Sequence, residues 1–370
     1  MDLKNKNNID GGPTPNKQKN SIVIVYNTNH KQHKSSLTSP ENPQRLTQMM
    51  NFLKHEAYLF RLGVRLQTRF RTALMKDILR VHTRNYVDIV IKNSKEGGFF
   101  GDSTYFTVNT SHVARRAAGA AIEAGRRVVN GSCDFAFATV RPPGHHARRD
   151  GFGGYCIYNN SAILARYLQE VKNVKKVLIV DWDAHAANGT MEIFYEDPTV
   201  FLISIHRDPR NFYPFKGFAG QVGRGEGLGY TVNLEVPRGS GDGVYKLAMR
   251  DMILPMIDEY KPDFIIGCNG FDIHYSDIYT DLNVTANGIY DFISNLARGR
   301  EGKLALLMEG GYQKNNGRLA AALLNAILQR ENPYPEDSDS LQSVTSSEEK
   351  AYKVVEAKIQ LLRRTLKDVI

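Results

Sequence analysis

Short apolar runs alternate along the chain with segments in which apolar residues recur at helical spacing. The short runs, which predict strands, cover residues 21–26, 135–140, 177–181, 200–205, 264–268 and 303–308. One helical segment begins near residue 43, and the others cover 111–129, 161–171, 244–260, 286–297 and 318–329. Continuous apolar strands that alternate with helices are typical of a parallel sheet covered on both faces. The pattern therefore predicts an α/β fold of three layers, α-β-α, around a mostly parallel central sheet.

The two ends of the chain differ in composition from the body. Residues 1–20 are rich in Asn, Lys, Gly and Pro and are predicted to be disordered. Residues 333–350 are rich in Ser, Asp and Glu and predict a polar linker. Beyond them, apolar residues recur at helical spacing in 351–370, which predicts a terminal helix packed on the body or on a second subunit. The body between these ends, residues 21–332, is predicted to be one domain.

Composition and charge narrow the class of protein. The chain has 370 residues, of which 42% are hydrophobic and 24% charged, as in an ordinary globular protein. No apolar run approaches the ~18–20 residues of a membrane span, and the polar N-terminus does not resemble a secretory signal. Three scattered cysteines indicate a reducing compartment. The sequence thus predicts a cytoplasmic protein, or a nuclear one in a eukaryote, without a membrane partner.

The formal net charge of +9 raises the question of nucleic-acid binding. The basic residues are spread along the chain, and no arginine–aromatic array or nucleic-acid motif accompanies them. We therefore expect a solvated basic surface, and nucleic acid is not predicted as the main ligand.

Five predicted strands end in polar residues suited to catalysis. In a parallel α/β sheet, ligands bind beyond the carboxyl ends of the strands, so these residues should converge on one rim. In chain order they are His145 and His146, then Asp181, Asp183 and His185, then Ser204 and His206, then Asp272, and finally Glu309 and Tyr312.

Asp183, His185 and Asp272 form a candidate metal site. Asp183 and His185 are two residues apart, so their side chains share one face of an extended segment. Two carboxylates neutralise a divalent ion, and three protein ligands leave a coordination position open. Asp183 and His185 alone could equally be a turn with a stray histidine. Together with Asp272 and the tandem histidines, they indicate a metal-dependent, amide-cleaving hydrolase.

Five motifs carry a resemblance to a known family: RPPGHHA, GGYCIYNN, DWDAHAANGT, the GFD of IIGCNGFD, and LMEGGY. In order and spacing they resemble the zinc-dependent histone deacetylase superfamily, which includes acetylpolyamine amidohydrolases and acetoin-utilisation proteins. The resemblance runs from about residue 22 to 330 and is closer to the class II and prokaryotic branches. It implies an arginase/deacetylase-like fold and makes residues 21–332 a catalytic domain.

The resemblance also implies roles for individual residues around one zinc ion per chain. The zinc ligands would be Asp183, His185 and Asp272. The catalytic residues would be His145 partnered by Asp181, His146 partnered by Asn188, and Tyr312 as hydroxyl donor to the substrate carbonyl.

Further roles concern the substrate and a second ion. Gly154, Tyr155 and Tyr213 would line the acyl-lysine tunnel, with Tyr279 near its mouth. A structural K⁺ or Na⁺ would be held by Asp181, Asp183, His185, Ser204 and Ile205, partly through backbone oxygens.

The chain departs from the family pattern at two places. Ala186 and Ala187 replace the usual His-Gly after the zinc-binding histidine, which should change the loop but not the ligands. Arginase-like enzymes need an aspartate at position 187 for a second metal, so alanine there favours one metal and a neutral amide substrate. Tyr279 lies near the position where polyamine-specific relatives carry a glutamate, which argues against selectivity for polyamines.

The function predicted from these residues is zinc-dependent removal of acetyl or other acyl groups from acyl-lysine in proteins or from small acetylated amines. Two alternatives stay open: an acetylpolyamine-specific amidohydrolase, and a non-catalytic acyl-lysine-binding or scaffold protein. Each of these three functions is compatible with a homo-oligomer.

Overall fold

The computed structural model describes residues 21–35, 39–55, 58–336 and 345–366. The predicted disordered tail at 1–20 lies outside the described residues. So do residues 337–344 of the predicted linker and 367–370 of the predicted terminal helix.

A central sheet of eight parallel strands forms the middle layer of the described chain. The described residues form ten strands, eight of which belong to this sheet: β1 (Ile22–Val25), β2 (Arg65–Gln67), β3 (Gly98–Phe99), β4 (Tyr105–Phe106), β5 (Phe135–Ala138), β6 (Val177–Asp181), β7 (Val200–Arg207), β8 (Thr231–Val236), β9 (Phe264–Asn269) and β10 (Leu304–Met308). Their order in the sheet is β2-β1-β5-β10-β9-β6-β7-β8, with every neighbouring pair parallel. β3 and β4 form a separate antiparallel hairpin.

Helices cover both faces of the sheet. They are α1 (Gln44–Lys54), α2 (Tyr58–Leu62), α3 (Met75–Ile78), α4 (Arg84–Glu96), α5 (Thr110–Val129), α6 (Asn160–Lys172), α7 (Asn188–Phe194), α8 (Asp242–Ala248), α9 (Leu254–Tyr260), α10 (Ala286–Ala297), α11 (Asn316–Ile327) and α12 (Thr345–Leu366). No helix in the described part of the chain combines the length and the apolar character needed to cross a membrane.

Alternating strand residues build two apolar cores. In β6, Leu178 and Val180 join the core that also contains α1 and α8 to α12. Val177 and Ile179 of the same strand point to the opposite face and join the core with α4, α5 and α6. Since both faces are buried, the strands read as continuous apolar runs. The predicted three-layer fold with a parallel sheet is confirmed.

The strands that carry the predicted site residues lie side by side. They are β5, β10, β9, β6 and β7, five consecutive neighbours in the sheet. Because the strands are parallel, their carboxyl ends meet at one edge, which places the following loops around a common depression.

Some elements differ from the prediction. The helix predicted at 244–260 contains a π-helical turn at Met249–Ile253 between α8 and α9. Pro255 follows this turn and has no N–H to donate, so the regular hydrogen-bond ladder is interrupted there. The edge strands β2 and β8 and the helix α4 were not predicted. The terminal helix α12 begins at Thr345, inside the range predicted as a linker.

Helix α12 packs against the edge of the sheet. Its apolar stripe of Val355, Ile359 and Leu362 is buried in the core shared with α8. Lys358 donates a hydrogen bond of 3.0 Å to the backbone oxygen of Glu235 in β8 and also pairs with the Glu235 carboxylate. The helix is therefore an integral part of the fold.

Candidate active site

The three predicted metal ligands lie together at the carboxyl ends of β6 and β9. Each offers one ligand atom, and all three atoms lie within 4.8 Å of one another. The Nδ1 atom of His185 lies 3.1 Å from Asp183 Oδ1 and 3.2 Å from Asp272 Oδ2. The N–H of Gly310 donates to Asp183 Oδ2 at 2.7 Å, and that of Ala184 donates to Asp272 Oδ1 at 3.0 Å. The backbone thus holds both carboxylates in place.

The charges of this trio suit a divalent cation. Burial and the neighbouring charge of Asp183 raise the pKa of Asp272 to about 7, although His185 opposes the shift. Burial alone would lower the pKa of His185, but its hydrogen bonds to Asp183 and Asp272 raise it to about 9. Two buried carboxylates this close repel each other unless a cation lies between them. Carboxylate oxygens and an imidazole are zinc donors, so the residues fit zinc.

A second group with similar spacing consists of His145, Cys156 and Glu309. Burial raises the pKa of the Cys156 thiol well above its usual value, so the thiolate needed for metal binding is disfavoured. Glu309 Oε2 already accepts the N–H groups of Gly144 at 2.7 Å and His145 at 3.2 Å. The trio around His185 is therefore the better metal site.

The tandem histidines lie beside this trio, each with its own partner. The rings of His145 and His146 are 4.0 Å apart. Nδ1 of His145 lies 3.2 Å from Asp181 Oδ2, and its Nε2 lies 3.8 Å from Asp183 Oδ1. Nδ1 of His146 donates to Asn188 Oδ1 at 2.6 Å, because an amide oxygen can only accept. This fixes the tautomer and leaves Nε2 of His146 with a free lone pair when the ring is neutral.

The environments of the two histidines push their protonation states apart. Burial lowers the pKa of His145, but the charges of Asp183 and Asp181 outweigh it and raise the value to about 10. Burial and the charge of His145 hold the pKa of His146 well below its usual value. These opposite shifts favour a charged His145 and a neutral His146, the division expected of an acid–base pair.

Tyr312 follows β10 and lies among aromatic side chains. Its ring is 5.9 Å from that of Tyr155 and 5.8 Å from that of Tyr279, and the guanidinium of Arg45 lies 4.5 Å from its centre. The N–H of Tyr312 donates to Asp277 Oδ2 at 2.7 Å. Within the described residues its hydroxyl has no hydrogen-bond partner, so it is free to donate to a ligand.

Tyr213 and Gly154 lie against the histidines. The ring of Tyr213 is 4.9 Å from His146 and 6.2 Å from His185. Gly154 has a φ of +49°, and a Cβ there would come within 2.3 Å of His146 Cδ2. Only glycine fits this position without moving the histidine. Of the predicted tunnel residues, Gly154 and Tyr213 thus lie against His146, Tyr155 lies beside Tyr312, and Tyr279 is 48% exposed.

The residues predicted for a structural ion include Asp183 and His185 of the trio, and the other three lie in β6 and β7. Asp181 and Ser204 are register partners across β6 and β7, and the buried Ile205 follows Ser204. Asp181 Oδ1 accepts the N–H of Asp183 at 3.0 Å. The Ser204 hydroxyl donates to Nδ1 of His206 at 2.9 Å.

The loop containing Ala186 and Ala187 is closely packed. A Cβ on Gly217, whose φ is +95°, would come within 2.5 Å of the Ala186 Cβ. Nε2 of His206 in β7 donates to the Gly217 oxygen at 2.8 Å, which holds the Gly217 loop against β7. The small residue at 186 therefore allows this approach.

Two features of the site were not predicted. Phe212 stacks on His185, with ring centres 4.7 Å apart and planes 17° from parallel. Arg141 pairs inside the protein with Glu41, which also contacts Arg45. The only signal for Phe212 in the sequence is its position directly before Tyr213. Nothing local in the sequence shows that Glu41 lies near Arg141.

Comparisons with known proteins identify the family of the chain. Residues 39–328 match the model of the histone deacetylase domain family. A probable deacetylase of Archaeoglobus fulgidus is 38% identical over 327 residues, which cover 85% of this chain and 90% of that protein. The histone deacetylase clr3 of Schizosaccharomyces pombe is 36% identical over 290 residues, covering 74% of this chain and 42% of clr3.

The structural comparison extends over most of the chain. The crystal structure of the HDA15 HD domain matches with a TM-score of 0.78 and 30% identity, covering 93% of this chain and 99% of that one. Among the fungal and plant relatives, the chain spans between 40% and 61% of the protein's length. Both the family and the named relatives support deacetylase chemistry. The chain belongs to the histone deacetylase domain family.

Proposed function

We propose that this protein is a zinc-dependent deacetylase that removes acetyl groups from acyl-lysine side chains or small acetylated amines. The observation that carries the proposal is the tandem histidine pair. His145 and His146 lie 4.0 Å apart, each hydrogen-bonded to its own partner, beside two carboxylates and an imidazole that fit a metal ion. Acid–base groups and a metal site at one sheet edge are the parts that amide hydrolysis needs.

Asp183, His185 and Asp272 would hold the zinc. When bound, zinc polarises an acyl carbonyl and lowers the pKa of a water molecule toward ~7. The hydrogen bonds from Gly310 and Ala184 orient the two carboxylates, and Phe212 limits rotation of the His185 ring. Such supporting contacts fix the ligands before the metal arrives.

His146 is the general base in this proposal. Asn188 accepts from its Nδ1, so its Nε2 can take a proton from the attacking water and return it to the departing amine. His145, held by Asp181, keeps a positive charge next to the reaction and opposes a second positive charge on His146. This lowers the basicity of His146 and makes it a better acid in the second half of the reaction.

Tyr312 is the proposed donor to the oxyanion. Its hydroxyl is without a partner in the described part of the chain, while its ring is fixed by Tyr155, Tyr279 and Arg45. A preorganised donor of this kind acts where negative charge develops on the carbonyl oxygen. Tyr155 and Tyr213 would flank the aliphatic stem of the acylated amine, and the Gly154 carbonyl would accept its amide N–H.

The proposal also covers the catalytic domain, a structural ion and the location of the protein. Residues 21–332 would be the catalytic domain, and a structural K⁺ or Na⁺ would be held by Asp181, Asp183, His185, Ser204 and Ile205, partly through backbone oxygens. A cytoplasmic location is proposed on the same footing. A scaffold or acyl-lysine reader would not need two adjacent histidines, each held by its own partner, beside a metal site, so the catalytic function is favoured.

Metal analysis combined with an acetyl-lysine release assay tests the proposal. Purified protein should contain about one zinc per chain and release acetate or the free amine from an acetylated peptide. A chelator should abolish turnover, and added zinc should restore it. The variant Asp272→Asn should lose both zinc and turnover, whereas Asp291→Asn, outside the proposed metal site, should keep both. A protein that binds zinc but releases nothing would contradict the catalytic proposal.

A further inference from the structure

The opening beside Tyr312, which we call the mouth of the candidate site, has a basic side. Four basic residues, Lys31, Lys34, Arg45 and Lys314, line a cavity of about 600 Å³ that also contains Tyr312. No Asp or Glu is among the described residues that line it. A cleft lined by one sign of charge concentrates ligands of the opposite sign.

A second cavity adjoins the first. Its volume is about 520 Å³, it shares Lys34, Ser35 and Pro40 with the first, and Tyr155 is in its wall. Its described lining also lacks Asp and Glu. The rings of Tyr155 and Tyr312 lie 5.9 Å apart, so the two cavities flank this tyrosine pair. The basic surface therefore borders the site itself.

The lysines of this surface are available to a ligand. Lys31, Lys34 and Lys314 are exposed. Among the described residues, lysine ion pairs are formed by Lys92, Lys353 and Lys358, and by none of the three at the mouth. Their charges are therefore not neutralised by carboxylates of the described chain.

Buried contacts fix the segment that carries Lys31 and Lys34. Nη1 of Arg141 donates to the backbone oxygens of His30 at 2.7 Å and His33 at 2.6 Å. The His33 ring stacks on Tyr105 at 4.4 Å, with planes 7° apart. The backbone around both lysines is thus anchored to the interior.

Lys314 has a similar support. It follows Gln313, whose side-chain amide donates to the Phe271 oxygen at 2.7 Å. Tyr312, two residues before Lys314, is held by Asp277 through its N–H. The three lysines therefore stand at fixed points of the mouth, and only their side chains need to order when a ligand binds.

The acidic groups nearest the mouth lie outside both cavities. Asp102 bonds to the Tyr213 hydroxyl and does not line either cavity. Asp277 is buried beneath Tyr312 and accepts backbone N–H groups of Tyr312 and Tyr279. Glu41 is shared by Arg141 and Arg45, so that buried group keeps an excess of positive charge.

We infer that the protein selects acyl-lysine residues set in acidic peptide segments. The inference rests on the proposed deacetylase function and names its substrate class. An acyl-lysine in the site leaves its flanking residues at the mouth, and side chains two residues apart in an extended peptide are about 7 Å apart. Flanking carboxylates can then reach Lys31, Lys34 and Lys314. The two cavities together exceed what one small anion would fill, which favours a peptide over a free carboxylate.

A matched set of acetyl-lysine peptides tests the inference. Three fluorescent peptides would carry Asp/Glu, Ser/Gly or Lys/Arg around the same acetyl-lysine, with acetylspermidine as a small cationic substrate. At about 0.05 M salt, we expect kcat/KM for the acidic peptide to exceed that for the basic one by about tenfold or more. The difference should shrink to about twofold or less at about 0.5 M salt, because the Debye length shortens. Acetylspermidine should be the poorest substrate.

Charge reversal at the mouth tests whether the three lysines cause the preference for acidic peptides. The combined variant Lys31→Glu, Lys34→Glu and Lys314→Glu should invert the order of the acidic and basic peptides. The control Lys175→Glu, Lys261→Glu and Lys303→Glu makes the same change in net charge at segments that precede β6, β9 and β10, on the opposite edge of the sheet. It should keep the preference of the parent protein. Thermal unfolding of both variants checks that the fold is retained.

Peptide binding, measured by fluorescence anisotropy, tests the inferred selectivity independently of the proposed catalysis. If the acidic peptide binds most tightly but no peptide is cleaved, the inferred selectivity holds and the proposed catalysis fails. If all peptides are cleaved equally, or the basic peptide or acetylspermidine is preferred, the selectivity is overturned and the catalysis holds. Binding of none of the peptides would overturn the selectivity as well.

Discussion

Arg141 and Glu41, one hundred positions apart in the sequence, form a two-pronged ion pair inside the protein. Nε and Nη2 of Arg141 donate to the two carboxylate oxygens of Glu41, each at 2.7 Å. Both side chains are fully shielded from solvent. The same arginine holds the backbone of His30 and His33, so the pair joins β5 to the first loop at the mouth.

Removing the charge of Glu41 should destabilise the protein strongly. The variant Glu41→Gln leaves the Arg141 charge buried without its counter-ion, and we expect a loss of about 3–5 kcal/mol in the free energy of unfolding. The measurement is urea unfolding at pH 7. Glu196→Gln, which breaks an exposed pair with Arg224, should cost less than about 1 kcal/mol. Equal losses in the two variants would contradict the role of burial.

The same pair predicts a dependence of stability on acid. Burial raises the pKa of Glu41, but the charge and hydrogen bonds of Arg141 outweigh it and lower the value from 4.5 to about 2. A carboxyl with a depressed pKa stabilises the fold above its unfolded value, and that stability is lost as the pH falls from 4.5 toward 2. The stability gap between the parent protein and Glu41→Gln should therefore narrow over this range.

His82 predicts a loss of stability at milder acidity. Its Nε2 accepts the N–H of Asn159 at 2.9 Å, and burial lowers its pKa from 6.5 to about 4. The unfolded chain then binds the proton more readily, so stability falls as the pH drops from 6.5 toward 4. Between pH 7 and 5 the contribution of His82 is about 2 kcal/mol.

The variant His82→Gln isolates this effect. Its stability should fall by about 2 kcal/mol less than that of the parent protein between pH 7 and 5, as measured by urea unfolding. His112→Gln, at an exposed position, should change the pH dependence much less. Identical pH profiles for the parent protein and His82→Gln would show that His82 is not held neutral.

Tyr312→Phe separates catalysis from metal binding. Losing one oxyanion donor typically lowers kcat by ~10²–10³. Since the Tyr312 hydroxyl has no partner among the described residues, the zinc content and stability should stay as they are. Tyr195→Phe, at a tyrosine outside the site, is the matched control and should leave kcat unchanged. A Tyr312→Phe protein that lost its metal would show that the assigned role is wrong.

Gly310→Ala should disrupt the metal site. A Cβ at this position would lie 2.3 Å from Asp272 Oδ2 and 2.6 Å from Asp183 Oδ2, so the carboxylates would have to move. We expect zinc content at sub-stoichiometric metal to fall at least about tenfold, since displaced ligands lose affinity. Gly220→Ala, which would meet nothing within 4 Å, should bind zinc normally. Normal zinc content in Gly310→Ala would rule out the proposed ligand geometry.

Much of the fold could be predicted from periodicity. The strand at 177–181 and the helix at 286–297 have the bounds expected from their apolar patterns. Elements at the edge of the sheet escaped prediction for physical reasons. β2 has three residues, two of them polar, and its pairing with β1 decides its conformation. β8 follows a Gly-rich loop, so its short segment has no clear boundary signal.

The site shows the same division. Strand-end positions brought Asp183, His185 and Asp272 together because parallel strands must align their carboxyl ends. The contacts that set the properties of the site come from distant parts of the chain. The pairing of Glu41 with Arg141 depends on tertiary packing, and no local pattern in the sequence encodes such a long-range partnership.

Helix α12 has a consequence for the solubility of folding intermediates. β8 is the last strand of the sheet, and an uncovered edge strand offers its backbone groups to strands of other molecules. Lys358 occupies one such group, the Glu235 carbonyl, and places a charge along that edge. Until α12 docks, a newly made chain would expose the unpaired edge of β8. The docked helix therefore also protects the protein from strand pairing between molecules.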